Sequence, residues 1–132
     1  MSVLPTTEKK VAATGTAGLM GPYKLTFDGI SSAVTRKAPG TFVLGHTDPS
    51  GRFCINHVGR ADEDVKTKLL EYIGSASMFK YGYFPLRAAF EKECELFHRF
   101  SPPGTRVHPG RPRGTNWVCP HCRIFSSYRS AG

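Results

Sequence analysis

Hydrophobic and polar positions alternate in short blocks along most of this chain. Residues 23–27 place Tyr23, Leu25 and Phe27 between polar neighbours, the period-2 signature of a short strand, and Asp28-Gly29 then turns. Residues 31–39 read as a loop. Residues 41–44 and 53–58 are β-rich runs separated by Asp48-Pro49-Ser50-Gly51, a turn sequence, and together predict a hairpin. Asp62, Glu63 and Asp64 form an acidic helix start, suited to the positive end of the helix dipole. Val65, Leu69, Leu70 and Ile73 follow at helical spacing, and Gly74 ends the run. Residues 78–84 predict a strand closed by Pro85. Residues 86–100 predict a long amphipathic helix, apolar at Ala89, Phe90, Leu96, Phe97 and Phe100, and stopped by Ser101-Pro102-Pro103-Gly104. The remainder is rich in Pro, Gly and Arg and has no period. The predicted order, β-β-β-α-β-α with an irregular tail, is an α+β layout.

The chain has 132 residues, 39% hydrophobic and 11% aromatic, enough for one modest core. Residues 1–22, rich in Thr, Ala and Gly, predict a disordered arm; residues 23–100 predict the folded domain, and 101–132 a separate basic segment. No apolar run approaches the ~18–20 residues of a membrane span, and no apolar stretch of signal-peptide type stands near Met1. The expectation is an intracellular protein, cytoplasmic or nucleoid-associated. Four cysteines are too few for a disulfide scaffold, and they read instead as thiols or metal ligands.

Charge changes the picture more than composition does. The formal net charge is +8, but residues 1–95 hold 12 Lys/Arg against all 10 Asp/Glu. Residues 96–132 hold six arginines and no acid: Arg99, Arg106, Arg111, Arg113, Arg123 and Arg129. Phe97, Phe100, Trp117, Phe125 and Tyr128 are interleaved with them. Arginine forks pair with phosphate and stack on bases, so this segment is the electrostatic footprint of a polyanion, most simply nucleic acid.

Cys119-Pro120-His121-Cys122 is a C-x-x-C pair, which alone serves either a metal knuckle or a redox dithiol. Cys94 and His98 lie one turn apart on the predicted long helix and project from one face. Cys94, His98, Cys119 and Cys122 then form a Cys3His set for a structural zinc, with His121 or His108 able to stand in for His98. Such a site gives the long irregular loop 101–122 a reason to be ordered. Cys54, in a predicted core strand, reads as a small buried hydrophobe.

Four local patterns in order resemble the GIY-YIG endonuclease family. Gly40-Thr41-Phe42 stands where the family has Gly-Ile-Tyr, His57-Val58-Gly59 where it has Tyr-Ile-Gly, and Lys68-Leu69 where it has Arg-Leu. Ala89-Phe90 with Glu93 and Leu96-Phe97 is similar to the family's metal-binding helix. The resemblance spans residues 40–98, and only Glu93 keeps the family's residue type. It implies a small mixed sheet packed with helices, and it alone implies that DNA is favoured over RNA as the partner. It also implies a site in which His57 is the general base, Lys68 supplies positive charge, Glu93 holds Mg²⁺ or Mn²⁺, and Phe42 occupies the position of the first motif tyrosine. Arg60 beside the second motif, with Arg106, Arg111, Arg113, Arg123 and Arg129, would contact phosphates.

Two main readings follow. One is a metal-dependent endonuclease hydrolysing DNA phosphodiester bonds. The other is a catalytically inactive module of the same layout that binds nucleic acid or an acidic protein.

Overall fold

A computed structural model gives the architecture of the chain and describes residues 18–125. Seven elements follow in order: β1 (Met20–Lys24), α1 (Phe27–Ala33), β2 (Gly40–Thr47), β3 (Phe53–Ala61), α2 (Val65–Leu70), β4 (Met78–Tyr83) and α3 (Leu86–Phe100). The strands form one sheet in the order β1-β4-β2-β3. The α+β layout is as predicted. The sheet is antiparallel at every pairing, where a mixed sheet was expected. The connections explain this: β2 and β3 join through a tight turn, and β4 returns through the short α2 to pair on the far side of β2.

The β2–β3 turn is held by Asp48, whose Oδ1 accepts from the amides of Ser50 at 2.9 Å and Arg52 at 3.0 Å. Gly51 takes φ +89°, a conformation that favours glycine. Helix α2 starts where the acidic run predicted, with the Asp64 carboxylate accepting from the Lys66 amide and the Thr67 hydroxyl. Helix α3 has the predicted bounds and ends at Ser101 in the left-handed conformation, φ 44°.

Two assignments at the N-terminal side shift. The first strand is Met20–Lys24 rather than 23–27, so residues 20–22 of the expected arm belong to the sheet. Leu19 of that arm is buried in the core as well, and residues 1–17 lie outside the described residues. Helix α1 occupies part of the expected loop. With Gly29, Ser31 and Ser32 inside it, α1 carries little helical propensity. It is fixed instead by the Thr26 side chain accepting from Gly29 and by the burial of Ile30. Gly29 is obligatory there, because a Cβ would meet the Lys24 carbonyl.

The sheet separates two cores. On one face Phe42, Leu44, Phe79 and Tyr81 pack with Ile30 of α1, Val34 just beyond it, and Val65 and Leu69 of α2. On the other, Val43, Val58 and Leu96 pack with Leu19 and Phe53, and the Thr41 hydroxyl donates to the Ala89 carbonyl of α3 at 2.8 Å. A third cluster, Phe90, Cys94, Cys119 and Phe125, fastens the C-terminal segment to α3. Most of that segment, 101–125, carries no regular structure, in keeping with its composition.

Candidate metal centre

The last turn of α3 presents His98, and the segment that follows folds back to meet it. His98 Nε2 lies 3.2 Å from His108 Nε2 and 3.4 Å from Cys119 Sγ. Cys122 Sγ lies 3.3 Å from His108 Nε2. All four ligand atoms fall within 4.8 Å of one another, and together they can hold a metal ion. A tetrahedral ion with bonds of about 2.0–2.3 Å spaces its ligands roughly 3.3–3.8 Å apart, close to the three separations of 3.2, 3.3 and 3.4 Å.

Neighbouring groups orient the set. His108 Nδ1 lies 2.8 Å from the Pro109 carbonyl, which holds the proton on Nδ1 and leaves Nε2 with its lone pair. The His121 amide donates to Cys119 Sγ at 3.3 Å, and the Ile124 amide donates to Cys122 Sγ. Burial, aided by the neighbouring His108 and His121, holds the His98 imidazole below its usual range and so keeps it neutral and ready to ligate. Burial raises the Cys122 thiol, against the pull of the Ile124 amide. A cation bound here displaces that thiol proton, so affinity rises with pH.

The composition of the set differs from the expected one. His98, Cys119 and Cys122 converge as predicted, but His108 takes the place assigned to Cys94. Cys94 is fully buried against Phe90 and Cys119 in the third cluster, and burial pushes its thiol well up. A short thiol one turn back on the helix stays in the apolar interface. The longer His108 imidazole, carried on a loop free to approach from outside, closes the tetrahedron. His121 has an exposed ring 5.9 Å from that of His98 and contributes its amide rather than its imidazole. The run His98, His108, Cys119, Cys122, two imidazoles followed by two thiols, was the sequence signal for this set. Cys54 is half-buried and packs near the Asp48 turn.

The residues of the nuclease-like pattern do not gather at one point. Paired residues share a sheet face. Phe42 pairs with Gly59 and His57 with Leu44, on the face covered by α2. There Phe42 is buried with its ring 5.6 Å from that of Tyr72, and the His57 ring lies 5.0 Å from the same tyrosine. His57 Nδ1 is engaged with Thr105 Oγ1 at 2.9 Å and the Gly104 carbonyl at 3.2 Å. Lys68, on α2, is partly exposed and pairs with Glu71 at 3.7 Å. Arg60 pairs with Thr41, so its side chain leaves from the opposite face toward α3, and near the end of β3 it also borders the cleft beside α2.

Glu93 is on that opposite face too. It is buried, and Arg60 Nη1 donates to its Oε1 at 2.7 Å. The same Nη1 donates to the Gly110 carbonyl at 2.8 Å, and Nε donates to Asp62 at 2.5 Å. Burial raises the Glu93 carboxyl to about 7, although Arg60 pulls it down. The guanidinium expected to meet phosphate is thus turned inward. The cleft beside α2 that Arg60, Lys68 and Lys37 line also carries Asp62, Glu63, Asp64 and Glu71, so its charge is mixed.

Among the other arginines, Arg99, Arg106, Arg113 and Arg123 are exposed and enter no ion pair among the described residues. Arg111 stacks on Phe125 at 4.5 Å, and Arg129 lies outside the described residues. No helix among the described residues is long and apolar enough to cross a membrane. No protein-family model, curated protein or solved structure matches the chain.

Proposed function

We propose that this protein is a nucleic-acid-binding module whose arginine-rich C-terminal segment is ordered on helix α3 by zinc, and that it binds without hydrolysing its partner. The observation that carries this reading is the joining of a two-histidine, two-cysteine cluster to a segment whose exposed arginines enter no ion pair among the described residues. Two thiolates and two imidazoles at tetrahedral separations suit zinc, and four protein ligands leave no open position for a reacting water. Zinc ties residues 98, 108, 119 and 122 together, so it fixes the chain on which Arg106, Arg113 and Arg123 are displayed. A pre-ordered arginine surface binds phosphates without the entropy cost of ordering a loop on contact.

Binding is favoured over cleavage by the separation of the hydrolytic candidates. A phosphodiester hydrolase needs its base and its metal carboxylate on one scissile phosphate. Here His57 and Glu93 lie on opposite sheet faces, and Glu93 is occupied by Arg60. The Mg²⁺ or Mn²⁺ role of Glu93 is therefore no part of this reading.

The test uses the full chain with zinc, and after zinc removal, on duplex DNA, single-stranded DNA and RNA of equal length, with Mg²⁺ or Mn²⁺ present. The expected result is salt-sensitive binding and no cleavage. Each lost phosphate contact among Arg99, Arg106, Arg113 and Arg123, changed to Gln, should lower the log–log salt slope by about 0.7–0.9. Divalent-dependent nicking abolished by Glu93→Ala would restore the nuclease reading, and salt-insensitive binding would remove both.

A further inference from the structure

From the contacts of Arg60 we infer that this residue positions the metal site: it holds the loop carrying His108 at the distance the other three ligands require. The inference rests on the metal reading above but assigns a role that reading does not contain.

Arg60, the last residue but one of β3, reaches under α3 with only about an eighth of its side chain exposed, 12%. It makes three polar contacts at once, to Asp62, to Glu93 and to the Gly110 carbonyl. Its guanidinium also lies over the Phe90 ring at 5.7 Å, and Phe90 packs on Phe125 in the cluster that seats Cys119. The contact to Gly110 is the decisive one. Gly110 is two residues beyond His108, and between them the Pro109 carbonyl accepts from His108 Nδ1. One three-residue stretch therefore carries a ligand, the acceptor that fixes the ligand's tautomer, and the carbonyl gripped by Arg60. The Glu93 carboxyl group, accepting from Arg60, pins the guanidinium to α3, and α3 carries His98. Arg60 thus couples two ligands that are ten residues apart in the chain through a rigid, planar fork.

Arginine is suited to this for a physical reason. Its donors have fixed relative directions, so gripping Glu93 fixes the vector toward Gly110. Lysine would keep the charge and lose that vector. Groups that orient metal ligands from outside the coordination sphere typically contribute 10–100-fold in metal affinity. Arg60 is therefore a positioning residue, not a ligand.

The experiment measures zinc affinity of the full chain by competition with a chromophoric chelator, and the Co²⁺ absorption spectrum at saturation. Arg60→Lys keeps the charge opposite Glu93. The double variant Arg60→Met with Glu93→Met removes both charges together, since a buried pair replaced by apolar groups of similar size commonly leaves folding intact. Lys37→Gln, an exposed cation on the cleft that Arg60 also lines but outside the ligand set, is the control. Both Arg60 variants should bind zinc about 10–100-fold more weakly, while saturating Co²⁺ still gives the tetrahedral two-thiolate spectrum of the unaltered protein. Lys37→Gln should bind as the unaltered protein does. Unchanged affinity in both Arg60 variants overturns the inference and leaves the metal site standing. An altered spectrum at saturation also overturns it, because the ligand set itself would then depend on Arg60. Failure of the unaltered chain to bind either metal overturns the site and the inference together.

Discussion

Glu93 shows how one side chain can be identified by sequence and still have its role decided by its surroundings. Its carboxyl is raised from 4.5 to about 7, with burial outweighing Arg60. A raised carboxyl pKa means the folded chain keeps a proton that the unfolded chain releases. The favourable contribution is therefore complete below pH 4.5 and is lost as pH climbs through 7, a decline of roughly 3 kcal/mol in folding stability. Denaturant midpoints at pH 5 and pH 8 should show that decline in the unaltered protein, and Glu93→Gln should flatten it. Parallel slopes in the two proteins would refute the assignment. The position of Glu93 on an amphipathic helix was readable from the sequence. Its partner was not, since Arg60 lies 33 residues away and meets it only because β3 passes under α3. His108 presents the same difficulty. The sequence offered it as an alternative ligand, and only the path of an aperiodic loop brings it to the cluster.

At the level of elements the periodic signals were sufficient wherever the hydrophobic pattern was strong. The β2–β3 hairpin, the α2 start at Asp64, and α3 from Leu86 to Phe100 follow directly from alternation, acidic capping and helical spacing. Helix α1 was hidden because its seven residues hold one buried apolar side chain, and tertiary burial of Ile30 rather than propensity makes it a helix. Sheet face assignment also lies beyond local pattern, because it depends on register. In the register found, Gly59 stands opposite Phe42, and a Cβ at 59 would approach the phenyl ring to 2.4 Å. Gly59→Ala should therefore cost about 1–3 kcal/mol by overpacking, and Phe42→Leu in the same chain should recover part of it. Thermal denaturation of the two single variants and the double variant checks this; strictly additive losses would contradict the contact.

For the whole molecule, the C-terminal segment does more than display arginines. It also lies along β3, the sheet's outer strand: the Gly104 amide donates to the Asn56 carbonyl at 2.6 Å, and the Val58 amide donates to Thr105 Oγ1 at 2.9 Å. The opposite outer strand, β1, is protected differently, by Pro22 within it. One border of the sheet is thus closed by covalent structure and the other by a flap whose next anchor, three residues on, is His108. Stripping the metal should lift the flap and bare a row of backbone donors and acceptors, the kind of surface on which sheets of separate molecules join. Sedimentation of the chelated protein should show concentration-dependent association that zinc reverses, and a monomer unaffected by chelation would rule this out. An ion held at the His98, His108, Cys119 and Cys122 cluster would then also be what keeps each copy of the protein from adhering to the next.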